Sequence, residues 1–214
     1  MTLKIDVVSD VVCPWCAIGL ASLEQALARS GLAEQAQVHF QPFELNPQMP
    51  AEGEDIDEHL HRKYGATPEQ AARNREAIRQ RGAELGFTFN MQARSRIHNT
   101  FKAHRLLHWA GEQGPAAQRA LKGALLSAYF TEGRNPDDDT VLLACVATAG
   151  LDASAAAEVL ASDRYTTEVR EAQAFYASHG ITAVPSVIIN DRHLIQGGQP
   201  VEAFEQALRQ IAAG

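Results

Sequence analysis

The chain has 214 residues, a mass of 23.3 kDa and a formal net charge of −7 at pH 7. Hydrophobic residues make up 45% of it, enough to bury the core of one large domain or of a domain with an insertion. The acidic balance disfavours a nucleic-acid-binding protein, because contacts with phosphate dominate that affinity. No apolar run approaches the length of a membrane span, and Asp6 and Asp10 interrupt any signal-peptide core. We therefore expect a cytoplasmic protein with no nucleic-acid or membrane partner.

The first part of the chain predicts a strand, a helix and a second strand. "LKIDVV" (3–8) and "QVHFQPFEL" (37–45) alternate in polarity or are rich in β-branched and aromatic residues, which is typical of strands. Between them, four apolar residues recur at helical spacing and predict one buried helix face: Cys16, Leu20, Leu23 and Leu27.

The middle of the chain, from about residue 50 to residue 179, has a helical pattern. Thr67 and Pro68 predict the start of one helix, with Thr67 as its cap and Pro68 in its first turn. Breaks between helices are expected at "LGFTFN", "GEQGP", "TEGRNPDDD" and "AGLD".

Strand character returns at "PSVIIN" (185–190) and "HLIQ" (193–196), with a turn at Asn190 and Asp191. A last amphipathic helix follows, with Val201, Phe204 and Leu208 on its apolar face. The pattern predicts an α/β fold. Residues 1–46 and 180–214 would form one discontinuous domain, and residues 47–179 a large, all-helical insertion packed on it.

The sequence "CPWC" places Cys13 and Cys16 three positions apart, where the first strand gives way to the helix. Pro14 suits the first helical position, and Cys16 falls on the buried stripe, so we expect Cys13 to be reachable and Cys16 sheltered. Helix N-termini stabilise thiolates, and a second thiol one turn away can resolve a mixed disulfide. The pattern therefore predicts Cys13 as the nucleophile and Cys16 as the resolving thiol.

Three phrases, "DVVCPWCAIG", "AYFTEGRNPDD" and "VPSVIINDRHLIQGGQP", resemble the DsbA family of thioredoxin-fold oxidoreductases, in particular its cytoplasmic FrnE-like branch. The resemblance spans essentially the whole chain. It implies a thioredoxin-like fold, a central mixed sheet flanked by helices, with the helical insertion. It also implies that the Val184–Pro185 peptide is cis and lies beside the two cysteines.

The same resemblance implies a protein disulfide oxidoreductase. Pro14, Trp15, Val184 and Pro185 would form the substrate-docking surface. The expected partners are polypeptide or small-molecule thiols and disulfides, together with a recycling redox partner. No tightly bound cofactor is expected, but glutathione is a candidate co-substrate.

A related group offers an alternative function. The 2-hydroxychromene-2-carboxylate isomerases and kappa-class glutathione transferases share this layout, and "RIHNTFKAHRLLHWA" is similar to the helix bordering their substrate cleft. They use the thiolate of glutathione and usually lack the cysteine pair, so the presence of both Cys13 and Cys16 favours dithiol redox chemistry.

No metal site is expected. "CPWC" would need further ligands, and there is no second CxxC. His104 and His108 lie one turn apart, but such a pair more often belongs to an ordinary amphipathic face. The third cysteine, Cys145, lies on an apolar stripe and is predicted to be a buried packing residue.

Overall fold

A computed structural model describes residues 2–213 of the chain. The first strand β1 (Leu3–Ser9) leads into helix α1 (Pro14–Ser30), and a short 3-10 turn (Ala33–Gln35) precedes strand β2 (Ala36–Pro42). Beyond β2 lie a short strand β3 (Glu54–Asp55), the helices α2 (Ile56–Tyr64) and α3 (Pro68–Glu84), and a short strand β4 (Arg96–Ile97). Helices α4 (Phe101–Glu112), α5 (Pro115–Phe130), α6 (Asp139–Thr148), α7 (Ala153–Leu160) and α8 (Thr166–Ser178) follow, and β5 (Ser186–Ile189), β6 (His193–Gln196) and α9 (Val201–Ala213) complete the described chain.

The main sheet has four strands in the order β2-β1-β5-β6. Strand β1 runs parallel to β2 and antiparallel to β5, and β6 is antiparallel to β5. Within β1 only Lys4 is exposed, as expected for a central strand covered on both faces. This mixed sheet, flanked by helices, confirms the predicted α/β thioredoxin-like fold.

The turn between β5 and β6 has the backbone that its sequence predicts. Asn190 and Asp191 both have positive φ angles, 54° and 55°. Two consecutive residues in this region form the tight turn whose twist matches that of a hairpin, and asparagine and aspartate tolerate it better than most residues.

The segment predicted as all-helical also contains a two-stranded antiparallel ribbon, in which Glu54 pairs with Ile97 and Asp55 with Arg96. Strand β3 lies in the connection from β2 to α2, and β4 lies in the connection from α3 to α4, where backbone groups have no helical partners. Pairing satisfies those groups, and strands of two residues leave almost no periodicity for sequence analysis to detect. The predicted boundaries at residues 46/47 and 179/180 stay a prediction.

Strand β2 ends earlier than predicted, at Pro42 instead of residue 45. Pro42 pairs with Ser9, the last residue of β1, so no partner strand continues beyond it. The chain then turns, and the backbone N–H of Leu45 donates to the Asp10 carboxylate at 2.8 Å. This turn carries residues 43–46 to the end of the sheet where α1 begins.

Most of the buried apolar side chains form one continuous cluster that includes residues of β1, α1, α4, α5, α6 and α9. A second, small cluster consists of Met49, Ile56 and Ile97, with Leu60 packed against it. We call α2 with the β3–β4 ribbon the cap, because this small cluster holds those elements together. Within residues 2–213, none of the helices is both long and apolar enough to cross a bilayer.

Candidate active site at the start of helix α1

Cys13 is the N-terminal cap residue of α1, and Pro14 occupies the first position of the helix. The carbonyl of Cys13 accepts the first hydrogen bonds of the helix, from the backbone N–H groups of Cys16 at 3.1 Å and Ala17 at 3.4 Å. Both active-site thiols are free. The helix therefore holds Cys13 and Cys16 one turn apart at its N-terminal end.

Cys13 is more buried than the sequence predicts. It is 4% exposed and Cys16 is 1% exposed, whereas Trp15 between them is 37% exposed. The reason is that α2 and the 182–184 segment stand beside the start of α1 and enclose a groove of about 770 Å³. Cys13 lines this groove, and Cys16 does not.

The Val184–Pro185 peptide bond is cis. The Val184 carbonyl lies 3.9 Å from the Cys13 Sγ and accepts a weak hydrogen bond from that thiol. Pro14, Trp15 and Val184 line the groove. Pro185 instead packs against α1, so closely that a Cβ placed on Gly19 would lie 3.0 Å from the proline Cγ.

A buried carboxylate, Asp10, lies directly before the cysteines. Its side chain accepts a hydrogen bond from the backbone N–H of Leu45 and lies 3.3 Å from His104 Nε2. Burial alone would raise the pKa of Asp10, but the hydrogen bond and charge of His104, with smaller contributions from Leu45 and Lys122, hold that pKa below its usual value. Asp10 is therefore a carboxylate kept ionised inside the protein.

Lys122 of α5 brings a buried cation to the same region. It is 1% exposed, and within residues 2–213 its Nζ has no hydrogen-bond partner. The Nζ lies 5.7 Å from the centre of the Phe40 ring. Burial lowers the pKa of Lys122, and the negative charges of Cys16, Asp10 and Cys13 oppose that change. Lys122 is thus a buried cation whose charged form is favoured by negative charge on either cysteine.

Burial raises the pKa of Cys16 well above its usual value. The hydrogen bond to Cys13 and the charge of Cys13 raise it further, whereas Lys122 and a backbone hydrogen bond lower it. Tyr64, at the end of α2, faces the site from the opposite side. Its pKa is raised, first by burial and then by the charge of Cys13.

Sequence analysis missed three of these residues: Asp10, Lys122 and Tyr64. A signal existed for Lys122, because Gln118, Lys122, Leu125 and Tyr129 follow helical spacing and place a charged residue on an otherwise largely apolar stripe. Asp10 carried a weaker signal, as an acid next to a cysteine pair. Nothing in its local sequence marks Tyr64, which reaches the site only through the position of α2.

The remaining candidate residues from the sequence are His104, His108 and Cys145. His104 is buried against Asp10, and the ring of His108 packs at a tilt against that of Tyr165, with ring centres 5.1 Å apart. Among the described residues, no group of three or more histidine, cysteine, aspartate or glutamate side chains is arranged to hold a metal ion. Cys145 is 3% exposed, which confirms its predicted burial.

The comparisons with known proteins agree on the family. A family model for the DSBA-like thioredoxin domain matches residues 4–209. The uncharacterized protein YwbO of Bacillus subtilis is 28% identical over 209 residues, 97% of this chain and 96% of that protein. The crystal structure of a probable DsbA oxidoreductase from Streptomyces coelicolor is 33% identical, with a TM-score of 0.89 over 97% of this chain and 89% of that one.

Two more distant structures share the fold. A 2-hydroxychromene-2-carboxylate isomerase is 14% identical, with a TM-score of 0.71 over 98% of this chain and 96% of that one. The cytosolic disulfide reductase DsbM of Pseudomonas aeruginosa, solved with GSH, is 15% identical, with a TM-score of 0.67 over 99% of this chain and 100% of that one. At these identities the likeness extends to the fold alone.

Proposed function

Because this chain belongs to the DSBA-like thioredoxin domain family, we propose that it is a thiol-disulfide oxidoreductase with Cys13 and Cys16 as its redox couple. One observation carries the proposal: α1 holds the two free thiols one turn apart, with Cys13 in the wall of a groove and Cys16 outside it. A pair one helical turn apart can form an internal disulfide, while a substrate in the groove meets only one of the two sulfurs.

In the direction of substrate reduction, the Cys13 thiolate attacks a disulfide. One substrate sulfur leaves as a thiolate, and a mixed disulfide joins Cys13 to the other half. Cys16 then loses its proton, attacks the Cys13 sulfur and releases that half as a second thiolate. The net reaction oxidises one protein dithiol and reduces one substrate disulfide, and the reverse sequence oxidises a substrate dithiol.

The charges around the two cysteines support these separate roles. The pKa of Cys16 is raised, so the resolving step needs help with the loss of a proton. The ammonium group of Lys122 stabilises negative charge on Cys16, and the charge of the ionised Asp10 in turn stabilises that ammonium group. Cys13 attacks from the groove, and Cys16 acts only after a mixed disulfide has formed.

The proposed substrates are thiols and disulfides of polypeptides or small molecules, which would dock on Pro14, Trp15 and Val184, with Pro185 holding this surface against α1. A second redox protein or thiol would recycle the couple. Glutathione is the proposed co-substrate, without a tightly bound cofactor, and we propose a cytoplasmic location. The GSH in the structure of DsbM supports the first of these proposals, and the cytosolic location of that reductase supports the second.

The test is equilibration of the protein in buffers of defined glutathione ratio, followed by acid quenching and mass spectrometry of the alkylated dithiol fraction. The wild type and Cys145→Ser should both interconvert reversibly between a dithiol and an internal Cys13–Cys16 disulfide. Cys13→Ser and Cys16→Ser should form no internal disulfide. A wild type that remains a dithiol at every ratio would overturn the proposal.

A second candidate function is that of a glutathione-dependent isomerase or transferase, favoured by the fold shared with 2-hydroxychromene-2-carboxylate isomerase. It predicts different behaviour of the cysteine variants. Such an enzyme uses the thiolate of bound glutathione, so its isomerase activity would persist when both Cys13 and Cys16 are replaced by serine. Dithiol-disulfide exchange in the same double variant would be absent.

A further inference from the structure

We infer that the groove beside Cys13 selects small disulfides that carry carboxylate groups, which Lys63 and Arg94 bind. This inference rests on the proposed function and adds a substrate class to it. It follows from the shape of the groove and from the distribution of charge along its walls.

The groove is large enough to hold a small molecule beside Cys13. Cys13 is 4% exposed, although the groove beside it measures about 770 Å³. The cap contributes Ile56, Leu60 and Ile97 to one wall, and Trp15 and Val184 line the groove near the cysteine. A small disulfide fits such a space whole, whereas a folded protein must extend a strand or loop into it.

Lys63, near the end of α2, lines the same groove as Cys13. Its Nζ donates to the carbonyl of Leu45 and to the side-chain oxygen of Asn46, both at 2.7 Å. The N–H of Leu45 donates to the Asp10 side chain at 2.8 Å, and the Asp10 carbonyl accepts from the Cys13 N–H at 3.4 Å. Asp10 is therefore hydrogen-bonded both to Leu45, which binds Lys63, and to Cys13.

Arg94 supplies the second cation in the groove wall. Its guanidinium group lies over the rings of Tyr129 and Phe130, at 5.2 and 5.1 Å from their centres. Its hydrogen bonds go to the hydroxyl of Tyr129 and the sulfur of Met91, and its buried Nε has no partner within the described chain. The two aromatic rings hold the guanidinium group in place, and no carboxylate of the described chain forms an ion pair with it.

The other charges along the groove are neutralised within the protein. Arg75 pairs with Asp57, and the buried Glu44 pairs with Arg170. His59 lies 2.6 Å from Glu54, which also pairs with Arg62. Within residues 2–213, Lys63 and Arg94 are the groove-lining cations without an ion pair. In a chain of net charge −7, these two cations give the groove a local preference for anions.

The dithiol pair of Cys13 and Cys16 is the reductant, as in the proposed function. A disulfide R–S–S–R accepts two electrons from Cys13 and Cys16, two R–SH molecules leave after protonation, and dithiothreitol restores the protein dithiol in the assay. A carboxylate on R gains charge-assisted hydrogen bonds from Lys63 and Arg94 that a neutral or cationic R lacks. The gain acts on capture of the substrate and therefore on kcat/KM.

Three small disulfides of similar length test the inference: dithiodiglycolate, which is anionic, 2-hydroxyethyl disulfide, which is neutral, and cystamine, which is cationic. Each kcat/KM is divided by the rate constant of the same disulfide with dithiothreitol alone, to remove differences in intrinsic reactivity. After this correction, the wild type should favour dithiodiglycolate over cystamine by about tenfold. Raising the ionic strength should reduce that preference, because salt screens exposed charges.

The preference should fall below about threefold in the Lys63→Met, Arg94→Met double variant, since each substitution removes one charge-assisted contact. Arg62→Met is the matched control, because Arg62 neighbours Lys63 but pairs with Glu54, and it should keep the preference. Charge-independent exchange by a wild type that still requires Cys13 would overturn the inference and leave the proposed function standing. No exchange with any of the three disulfides would overturn the inference, and the equilibration in glutathione buffers described above would then decide the proposed function.

Discussion

At the scale of single residues, burial should make two of the three cysteines unreactive. It raises the pKa of Cys145 to about 11 and also raises the pKa of Cys16. Both should therefore be largely protonated near pH 8, when the thiolate is the reactive species. Cys13 lines the groove, where a small reagent can reach it.

We expect iodoacetamide at pH 8 to modify the reduced native protein once, at Cys13, with Cys16 and Cys145 reacting far more slowly. Peptide mapping by mass spectrometry after short labelling times measures the three rates. Urea-unfolded protein is the control, in which all three cysteines should react at similar rates. Fast labelling of Cys16 in the native protein would contradict the assigned roles.

Lys122 gives a second prediction at this scale, on stability against pH. Its pKa in the folded protein is lowered from the usual 10.5 by burial, so the unfolded chain binds more protons at this residue. At pH values below this lowered pKa, burial of the charged lysine therefore reduces the free energy of unfolding. This penalty disappears as the pH rises from the lowered pKa to 10.5.

The free energy of unfolding of the wild type should thus contain a contribution that grows with pH in this range, and Lys122→Met should lack it. Urea unfolding at a series of pH values measures the difference between the two proteins. Arg119→Met, on the exposed side of the same helix, is the control and should follow the wild type. Parallel pH profiles of wild type and Lys122→Met would show that Lys122 is not the buried cation described here.

At the scale of elements, the approach of the 197–198 loop to α1 depends on glycine. A Cβ on Gly198 would lie 3.0 Å from the carbonyl oxygen of Trp15 and 3.4 Å from a methyl group of Ile18. Because the nearest neighbour is backbone, the contact cannot be relieved by rotating a side chain.

We therefore expect Gly198→Ala to lower the free energy of unfolding by about 1 to 3 kcal/mol, and to slow exchange by displacing Trp15. Denaturant unfolding and exchange kinetics measure the two effects. Gly123→Ala in α5 is the matched control: a Cβ there meets nothing within 4 Å, and the added methyl should stabilise the helix by about 0.5 to 1 kcal/mol. Equal effects of the two substitutions would argue against a close contact at Gly198.

The cap is the second element with a testable property. Its apolar cluster contains Met49, Ile56 and Ile97 and is separate from the main core, so it should open without global unfolding. Ile97→Ala should raise the KM for small disulfides and increase hydrogen exchange in α2, while leaving the main unfolding transition nearly in place. Leu125→Ala, fully buried in the main core, should instead cost about 2 to 5 kcal/mol of global stability. A comparable global loss in Ile97→Ala would show that the cap and the main core unfold as one.

At the scale of the whole molecule, the sequence predicted the elements that recur with regular periodicity. The strands at both ends, the hairpin at Asn190 and Asp191, and helix α3 after Thr67 each follow a local rule of patterning, turn chemistry or capping. The β3–β4 ribbon was not predictable in this way, because strands of two residues carry no period.

The same distinction between local and long-range features applies to the candidate site. Cys13 and Cys16 were found because the CxxC spacing is local. Lys122, Lys63 and Arg94 come from three separate parts of the chain, and only tertiary packing places Lys122 near the cysteines and the other two in the groove wall. The greater burial of Cys13 has the same origin, because the cap that covers it follows β2 in the chain.

The central claim is that Cys13 attacks and Cys16 resolves, and trapping the intermediate tests it most directly. Reduced Cys16→Ser protein is mixed with oxidised glutathione, quenched in acid and examined by intact mass and peptide mapping. The account predicts one glutathione adduct, on Cys13, that persists because no resolving thiol is present, whereas the wild type passes to an internal disulfide. An adduct on Cys145, or rapid adduct formation in Cys13→Ser at Cys16, would contradict it.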